Sequence, residues 1–289
     1  MTDISIIIPC FNEEESIGIL LKSMSKDPYI KKCEIIVVDD GSSDESTRII
    51  EKYKSVRLIK HVRNSGYGQA IVTGMKNSTR SNVVWMDSDG QHQVKDVVKL
   101  CKVLVAPDID YVIGERDQNS HQEKSRLFGK LVLRIFVKLC GVSTISDFNS
   151  GLRGFKTNVI KKYFHLLQGG FGASTTTTLL MEMRNYNGST CSINVLSREG
   201  SSSVRQIRDG MRTLLLIFRS LLLFRPMRFF FSVGLMFFMV GLIYGIWTTF
   251  SEGIGFPVFG AILVLTGIIT IMLGLITDQI SQLRLEKYE

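Results

Sequence analysis

Two rhythms of apolar and polar residues divide the chain. As far as about Gly200, short apolar runs alternate with amphipathic stretches, whereas beyond Phe229 nearly every residue is apolar. In the first part, Ile4–Ile8 is an uninterrupted apolar run closed by Pro9, which predicts a short buried strand. Glu14–Ser25 has helical periodicity, Glu34–Asp39 predicts a second strand and Ser43–Tyr53 a second helix. Val56–Val62 alternates as a strand does, Gly68–Asn77 predicts a helix and Asn82–Met86 a fourth strand. A helix at Val94–Val105, a strand at Tyr111–Gly114 and a helix at Lys124–Cys140 follow. This alternation predicts an α/β fold, with a mostly parallel, Rossmann-like sheet covered on both faces. Ligands of such sheets bind beyond the carboxyl ends of the strands.

In the second part, Phe229–Phe250 and Val258–Thr277 contain no charged residue. Twenty residues of helix reach about 30 Å, the thickness of the hydrocarbon core of a bilayer. The two runs predict a transmembrane helical hairpin turning at Ser251–Pro257, where Gly and Pro gather. Ahead of it, Val204–Arg225 places Arg205, Arg208, Arg212 and Arg219 within about 60° of one another around a helix. Ile207, Met211, Leu214, Leu215, Phe218 and Leu222 share the opposite face, the pattern of a basic helix lying in the membrane interface. The expected organisation is a globular domain at 1–203, the interfacial helix at 204–228, spans at 229–250 and 258–277, and a tail at 278–289. Arg198, Arg205, Arg208, Arg212, Arg219, Arg225 and Arg228 precede the first span, and Arg284 and Lys287 follow the second. The positive-inside rule then puts both termini and the globular domain in the cytoplasm. The sequons at Asn77 and Asn187 would carry no glycan there. The N-terminal apolar run is too short for a signal peptide.

With 45% hydrophobic and 21% charged residues among 289, the chain is neither disordered nor collagen-like. Its 35 Lys and Arg against 27 Asp and Glu leave +8, which suits an acidic partner. The arginines concentrate beside the spans, so the expected partner is the bilayer and no nucleic acid. The five cysteines, at positions 10, 33, 101, 140 and 191, never fall at CxxC spacing. Neither a zinc site nor a disulfide framework is indicated.

Candidate chemistry stands at the predicted strand ends. Pro9-Cys10-Phe11-Asn12-Glu13-Glu14-Glu15 follows the first, Asp39-Asp40-Gly41-Ser42-Ser43-Asp44 the second, and Asp87-Ser88-Asp89-Gly90-Gln91-His92 the fourth. Carboxylates crowded at one sheet edge repel unless something positive joins them, and a hard divalent cation would serve. Asp87 and Asp89 point to one side if the extended geometry of the strand continues past Met86. The Asp39-Asp40 segment has a second reading as a turn, with Ser42 or Ser43 capping the next helix. Asn64-Ser65-Gly66-Tyr67-Gly68 matches only half of a dinucleotide fingerprint, because Ile71 stands where the third glycine belongs.

Taken in order, PCFNEEES, VVDDGSSD, NSGYGQA, MDSDGQHQ, GER, SRLFG and DFNSGLRGF resemble the family 2 glycosyltransferases of GT-A fold. The resemblance is to their polyprenyl-phosphate group, which includes dolichol-phosphate mannose synthase and the bactoprenol glucosyltransferases, and it runs from about Ile4 to Ser203. It implies that Pro9, Asn12, Glu13, Asp39, Asp40 and Gly68 hold a nucleotide sugar. It implies that Asp87, Asp89 and Gln91 hold Mg²⁺ or Mn²⁺ on the diphosphate, and that Asp89 and Asp147 are catalytic. Arg116, Arg126 and Arg198 would hold the acceptor phosphate. The sequence departs from the family at Thr175–Thr178, at Ser192-Ile193-Asn194 and at Ser203, where acidic residues and a lysine are common.

The implied reaction is an inverting, metal-dependent transfer of a hexose from a UDP- or GDP-sugar to undecaprenyl or dolichyl phosphate. A membrane phosphate is anionic near neutral pH, so such a site needs arginine more than a strong base. His92 has a supporting place in this reading. The corresponding membrane is the plasma membrane in a bacterium or the endoplasmic reticulum in a eukaryote, and a homo-oligomer is compatible with it. Alternatives are transfer to a polysaccharide or glycolipid, or a non-catalytic membrane adaptor that keeps the fold. A processive polysaccharide synthase would need more spans and a Q-x-x-R-W motif.

Overall fold

The computed structural model describes residues 2–116, 150–167, 172–195, 226–253 and 255–286. Arg126, Asp147, Arg198, the helix expected at Lys124–Cys140 and the basic helix expected at Val204–Arg225 lie outside the described residues. The α/β part runs through Ile4–Cys10 (β1), Ile17–Met24 (α1), Glu34–Asp39 (β2), Ser46–Glu51 (α2), Val56–Lys60 (β3), Tyr67–Lys76 (α3), Asn82–Trp85 (β4), Val94–Leu104 (α4) and Tyr111–Arg116 (β5). It continues through Arg153–Lys156 (β6), Thr157–Lys161 (α5), Phe164–Leu167 (α6), Ala173–Met183 (α7) and Gly188–Ile193 (β7).

The seven strands among the described residues join one sheet in the order β3-β2-β1-β4-β6-β5-β7. β1 pairs in parallel with β2 and β4, β2 with β3, and β5 with β7. β6 is the exception, antiparallel to both β4 and β5. The expected mostly parallel sheet is therefore what forms. Its central strands are Ile- and Val-rich because they are buried on both faces. Leu20, Leu21 and Met24 of α1 and Val97, Leu100 and Leu104 of α4 pack in one core with Ile6, Ile8, Val37 and Val84. On the other face α3 sits close to β1, because a Cβ at Gly74 would stand 2.3 Å from Ile7 Cγ2. Trp85 of β4 stacks on Phe155 of β6 with ring centroids 4.8 Å apart.

β1 runs through Pro9 to Cys10, two residues beyond the predicted end. The ladder explains why Pro9 is tolerated. The Ile7 carbonyl accepts from Met86 N, so Ile7, and Pro9 two residues on, turn their main-chain polar groups toward the β4 side. β4 ends at Trp85, opposite Ile7, so the N–H that Pro9 lacks would have had no strand to meet.

The C-terminal part is a pair of helices, Pro226–Glu252 (α8) and Val258–Glu286 (α9), each extending past the apolar run that predicted it. Both contain a stretch long and apolar enough to cross a bilayer. Their large apolar side chains point outward, among them Trp247 at 71% and Phe250 at 87% exposure. Small residues spaced seven apart line the contact between them, with Leu263, Ile271, Phe230 and Phe238 packed against the glycines. Gly234, Gly241 and Thr248 are buried on α8, and Gly260, Gly267, Gly274 and Ser281 on α9. A Cβ at Gly241 would stand 2.8 Å from the Gly260 carbonyl oxygen, and one at Gly267 would stand 2.6 Å from that of Gly234. Backbone thus lies on backbone, the way helices gain van der Waals contact where no hydrophobic effect drives them together.

Candidate active site

Successive strands leave β1 on opposite sides, to β2 and to β4, so a crevice opens at their carboxyl ends. Three loops meet this edge. The loops after β1 and β2 are fastened to each other. Asn12, held at φ 53°, donates its N–H to Ser42 Oγ at 3.0 Å and accepts from Ser43 N at 2.8 Å. Glu13 N donates to Ser46 Oγ at 2.8 Å, Glu14 N to Asp44 Oδ2 at 3.1 Å, and Glu45 N to Glu14 Oε2 at 2.9 Å. These bonds explain why α1 and α2 start later than their periodicity predicted. Neither Ser42 nor Ser43 caps α2, whose N-cap is Glu45 without a side-chain cap. Both serines serve Asn12 instead.

Asp39 and Asp40 are nearly buried, and donors already occupy their oxygens. Asp39 accepts from Ser42 N at 2.9 Å and from Thr47 Oγ1. Asp40 accepts from Ser65 N at 2.9 Å, from Gly66 N at 2.8 Å and from His61 Nδ1 at 2.6 Å. Asp40 thereby holds the loop that opens α3, where Gly66 takes φ 95° and Gly68 is buried. Burial, with the Asp39 charge beside it, pushes the Cys10 thiol up to about 12, which leaves no thiolate for chemistry at this edge.

The third loop carries the candidate cation ligands. β4 stops at Trp85, so the extended geometry expected through Asp89 does not persist. Asp89 instead folds back to accept Gln91 N at 3.1 Å. Asp87 accepts from the Tyr67 hydroxyl at 2.7 Å. On its other side Gly151 backs it so closely that a Cβ there would stand 1.9 Å from Oδ2. Asp87 and Asp89 both act electrostatically on the imidazole of His92. His92 is 6% exposed and its Nδ1 has no hydrogen-bond partner. Burial and the Arg116 charge hold its pKa below the ordinary value, against the opposing pull of Asp87, Asp89 and Asp96. Arg116 is exposed at the last position of β5. Asp87, Asp89 and Arg116 thus act on one buried imidazole, Gln91 is tied to Asp89, and Pro9, Asn12, Glu13, Asp39, Asp40 and Gly68 lie on the β1, β2 and α3 side.

The donor set fits a hard divalent cation. Two carboxylates and an amide offer oxygen ligands, and among the described residues no three His, Cys, Asp or Glu side chains gather so as to hold a metal by themselves. Mg²⁺ and Mn²⁺ suit such an open site, completing their shell with phosphate oxygens and water. The sequence reading did not single out Tyr67, Gly151 or Arg153. Arg153 is fully buried and donates to the Ser150 and Ser174 carbonyls and to the hydroxyls of Thr177 and Thr178. The short β6 stretch, Arg-Gly-Phe-Lys, offered no signal that its arginine is buried.

A mostly parallel sheet with acidic loops at its switch point is the GT-A arrangement of nucleotide-sugar enzymes, and comparison with known proteins agrees. The chain belongs to glycosyl transferase family 2, whose profile matches residues 5–164, and residues 225–283 match the GtrB C-terminal hairpin. It is 28% identical over 205 residues to a UDP-N-acetylglucosamine–dolichyl-phosphate N-acetylglucosaminyltransferase of Methanococcus voltae, covering 63% of this chain and 80% of that one. It is 31% identical over 175 residues to an undecaprenyl-phosphate 4-deoxy-4-formamido-L-arabinose transferase of Edwardsiella ictaluri, covering 56% of this chain and about half (51%) of that one. In fold it matches glucosyl-3-phosphoglycerate synthase from Mycobacterium tuberculosis, solved with Mn²⁺, UDP and phosphoglyceric acid. The TM-score is 0.59 at 17% identity, over 75% of this chain and 78% of that one.

Proposed function

We propose that this family 2 glycosyltransferase moves a sugar from a uridine nucleotide sugar to the phosphate of a polyprenyl phosphate at a membrane surface. The observation that carries the reading is the loop after β4 at the switch point of the sheet, where the Tyr67 hydroxyl holds Asp87 and Asp89 follows two residues on. The two relatives named for dolichyl- and undecaprenyl-phosphate transfer support the acceptor class. An acceptor phosphate oxygen attacks the anomeric carbon. The bond from that carbon to the diphosphate breaks, and UDP leaves with the electron pair. When bound by Asp87, Asp89 and Gln91, Mg²⁺ or Mn²⁺ supplies the counter-charge for the departing diphosphate.

The chain's own residues do the rest. Pro9, Asn12 and Glu13 line the place for base and ribose. Asp39 and Asp40 fix the loops around it, and Gly68 lets α3 begin against it. Arg116, Arg126 and Arg198 hold the acceptor phosphate, whose second pKa of about 6 makes a strong base unnecessary. Asp147 orients the site or a sugar hydroxyl. The catalytic domain is cytoplasmic, the 204–228 helix rests on the bilayer and the C-terminal pair spans it.

The test is transfer of label from UDP-sugars to undecaprenyl phosphate by the full-length protein in detergent. Activity should vanish in EDTA and return with Mg²⁺ or Mn²⁺, and Asp89→Ala should lose on the order of 10²–10³-fold or more while staying folded. Full activity in EDTA, or an Asp89→Ala enzyme as fast as wild type, defeats the metal-dependent reading.

A further inference from the structure

We infer that Tyr67 is a positioning residue for Asp87, clamping the carboxylate in the orientation a divalent cation requires. The inference rests on the proposed cation role of Asp87.

The clamp is built from elements far apart in sequence. Gly66, at φ 95° and tied by its N–H to Asp40, turns the chain into α3 so that the Tyr67 hydroxyl reaches Asp87 Oδ1 at 2.7 Å. Gly151 closes off the Oδ2 side with bare backbone. Behind Gly151 stands Arg153, whose guanidinium is fully buried. Arg153 ties two segments together. Its Nε and Nη2 donate to the Ser150 carbonyl at 3.0 and 2.7 Å, beside Gly151, and its Nη1 donates to the Ser174 carbonyl at 2.5 Å. One buried guanidinium therefore ties the backbone behind Asp87 to the first turn of α7.

The chemistry of the clamp suits a ligand to a cation. A lysine or arginine in place of Tyr67 would orient Asp87 but neutralise it and compete with the metal. A phenol donates one hydrogen bond and leaves the carboxylate its full charge. Ligating carboxylates elsewhere depend on such outer partners, whose loss typically weakens metal binding 10- to 100-fold.

Mn²⁺ binding can be measured without turnover, as loss of the free-ion electron paramagnetic resonance signal, using the full-length protein in detergent with UDP present. Tyr67→Phe removes only the hydroxyl and should raise the Mn²⁺ dissociation constant about tenfold, leaving the apparent KM for polyprenyl phosphate unchanged. Asp87→Asn should bind Mn²⁺ far more weakly than wild type. Gly151→Ala keeps the phenol but pushes the carboxylate out of the clamp, because a Cβ there would stand 1.9 Å from Oδ2, and should raise the constant about tenfold; it decides the matter if Tyr67→Phe fails to fold. If Asp87→Asn loses Mn²⁺ while Tyr67→Phe and Gly151→Ala bind it as wild type does, the clamp is refuted and the cation site stands. If Asp87→Asn binds as wild type does, or wild type binds no Mn²⁺, the cation reading falls and takes the clamp with it.

Discussion

Arg153 shows how much one side chain can organise. It is 0% exposed, and its guanidinium supplies hydrogen bonds to two main-chain carbonyls and two threonine hydroxyls while lying 5.9 Å from the centre of the Trp85 ring. Removing it leaves all four acceptors in the interior without this donor, and unsatisfied buried polar groups each cost about 1–3 kcal/mol. Arg153→Met should therefore destabilise the α/β domain by about 3–5 kcal/mol, read as a lowered denaturation midpoint. Arg153→Lys should recover only part of this, because an ammonium keeps the charge but not the planar fork. A midpoint unchanged in Arg153→Met would show that the hydroxyl-rich turn of α7 satisfies itself.

At the scale of elements, the first half of the fold was legible because its code is local. β2 falls where its Ile and Val run placed it, and α3 and α4 match their periodicity to within a residue at either end. β6 escaped because Arg153-Gly154-Phe155-Lys156 has neither length nor alternation, and its antiparallel place depends on β4 and β5. α7 escaped because Thr175–Thr178 is β-branched and reads against helix, whereas two of those hydroxyls are consumed by Arg153. The same division runs through the site. Loop carboxylates after strands can be read in order, but the Tyr67 and Gly151 contacts with Asp87 join residues 20 and more positions apart and follow from tertiary packing. The C-terminal pair was legible as two long apolar helices, yet its seam was not, since hydropathy registers bulk and the seam is lined by glycines. Gly241→Leu should force α8 and α9 apart, because even a Cβ meets Leu263 Cβ at 2.7 Å. Disulfide trapping between cysteines introduced across the pair should fall severalfold in that variant, whereas Met239→Leu on the exposed face should leave it unchanged.

For the whole molecule, the proposed orientation makes a prediction about sides. The connector after α8 should be the one segment across the membrane from the catalytic domain. Gly255→Cys, at a position open on all sides, should react with an impermeant maleimide added to intact cells, above the level of the parent protein. Lys26→Cys, exposed on the α/β domain, should react only after the cells are opened. Labelling in the reverse order would overturn the orientation drawn from the arginines.

The glycine seam also bears on how such a protein is made. On the proposed membrane reading, α8 and α9, which approach through their glycines, can enter the bilayer already paired, as one apolar object whose side-chain bulk would face lipid. Between them stand only residues 253–257, none of them ionisable, with Glu252 at the end of α8 as the nearest charge. What must be carried through the hydrocarbon is five uncharged residues and a single carboxylate. A carboxylate is a group that can cross neutral by taking up a proton. Biogenesis of this hairpin is therefore a partitioning problem, and export of a polar segment has almost no part in it.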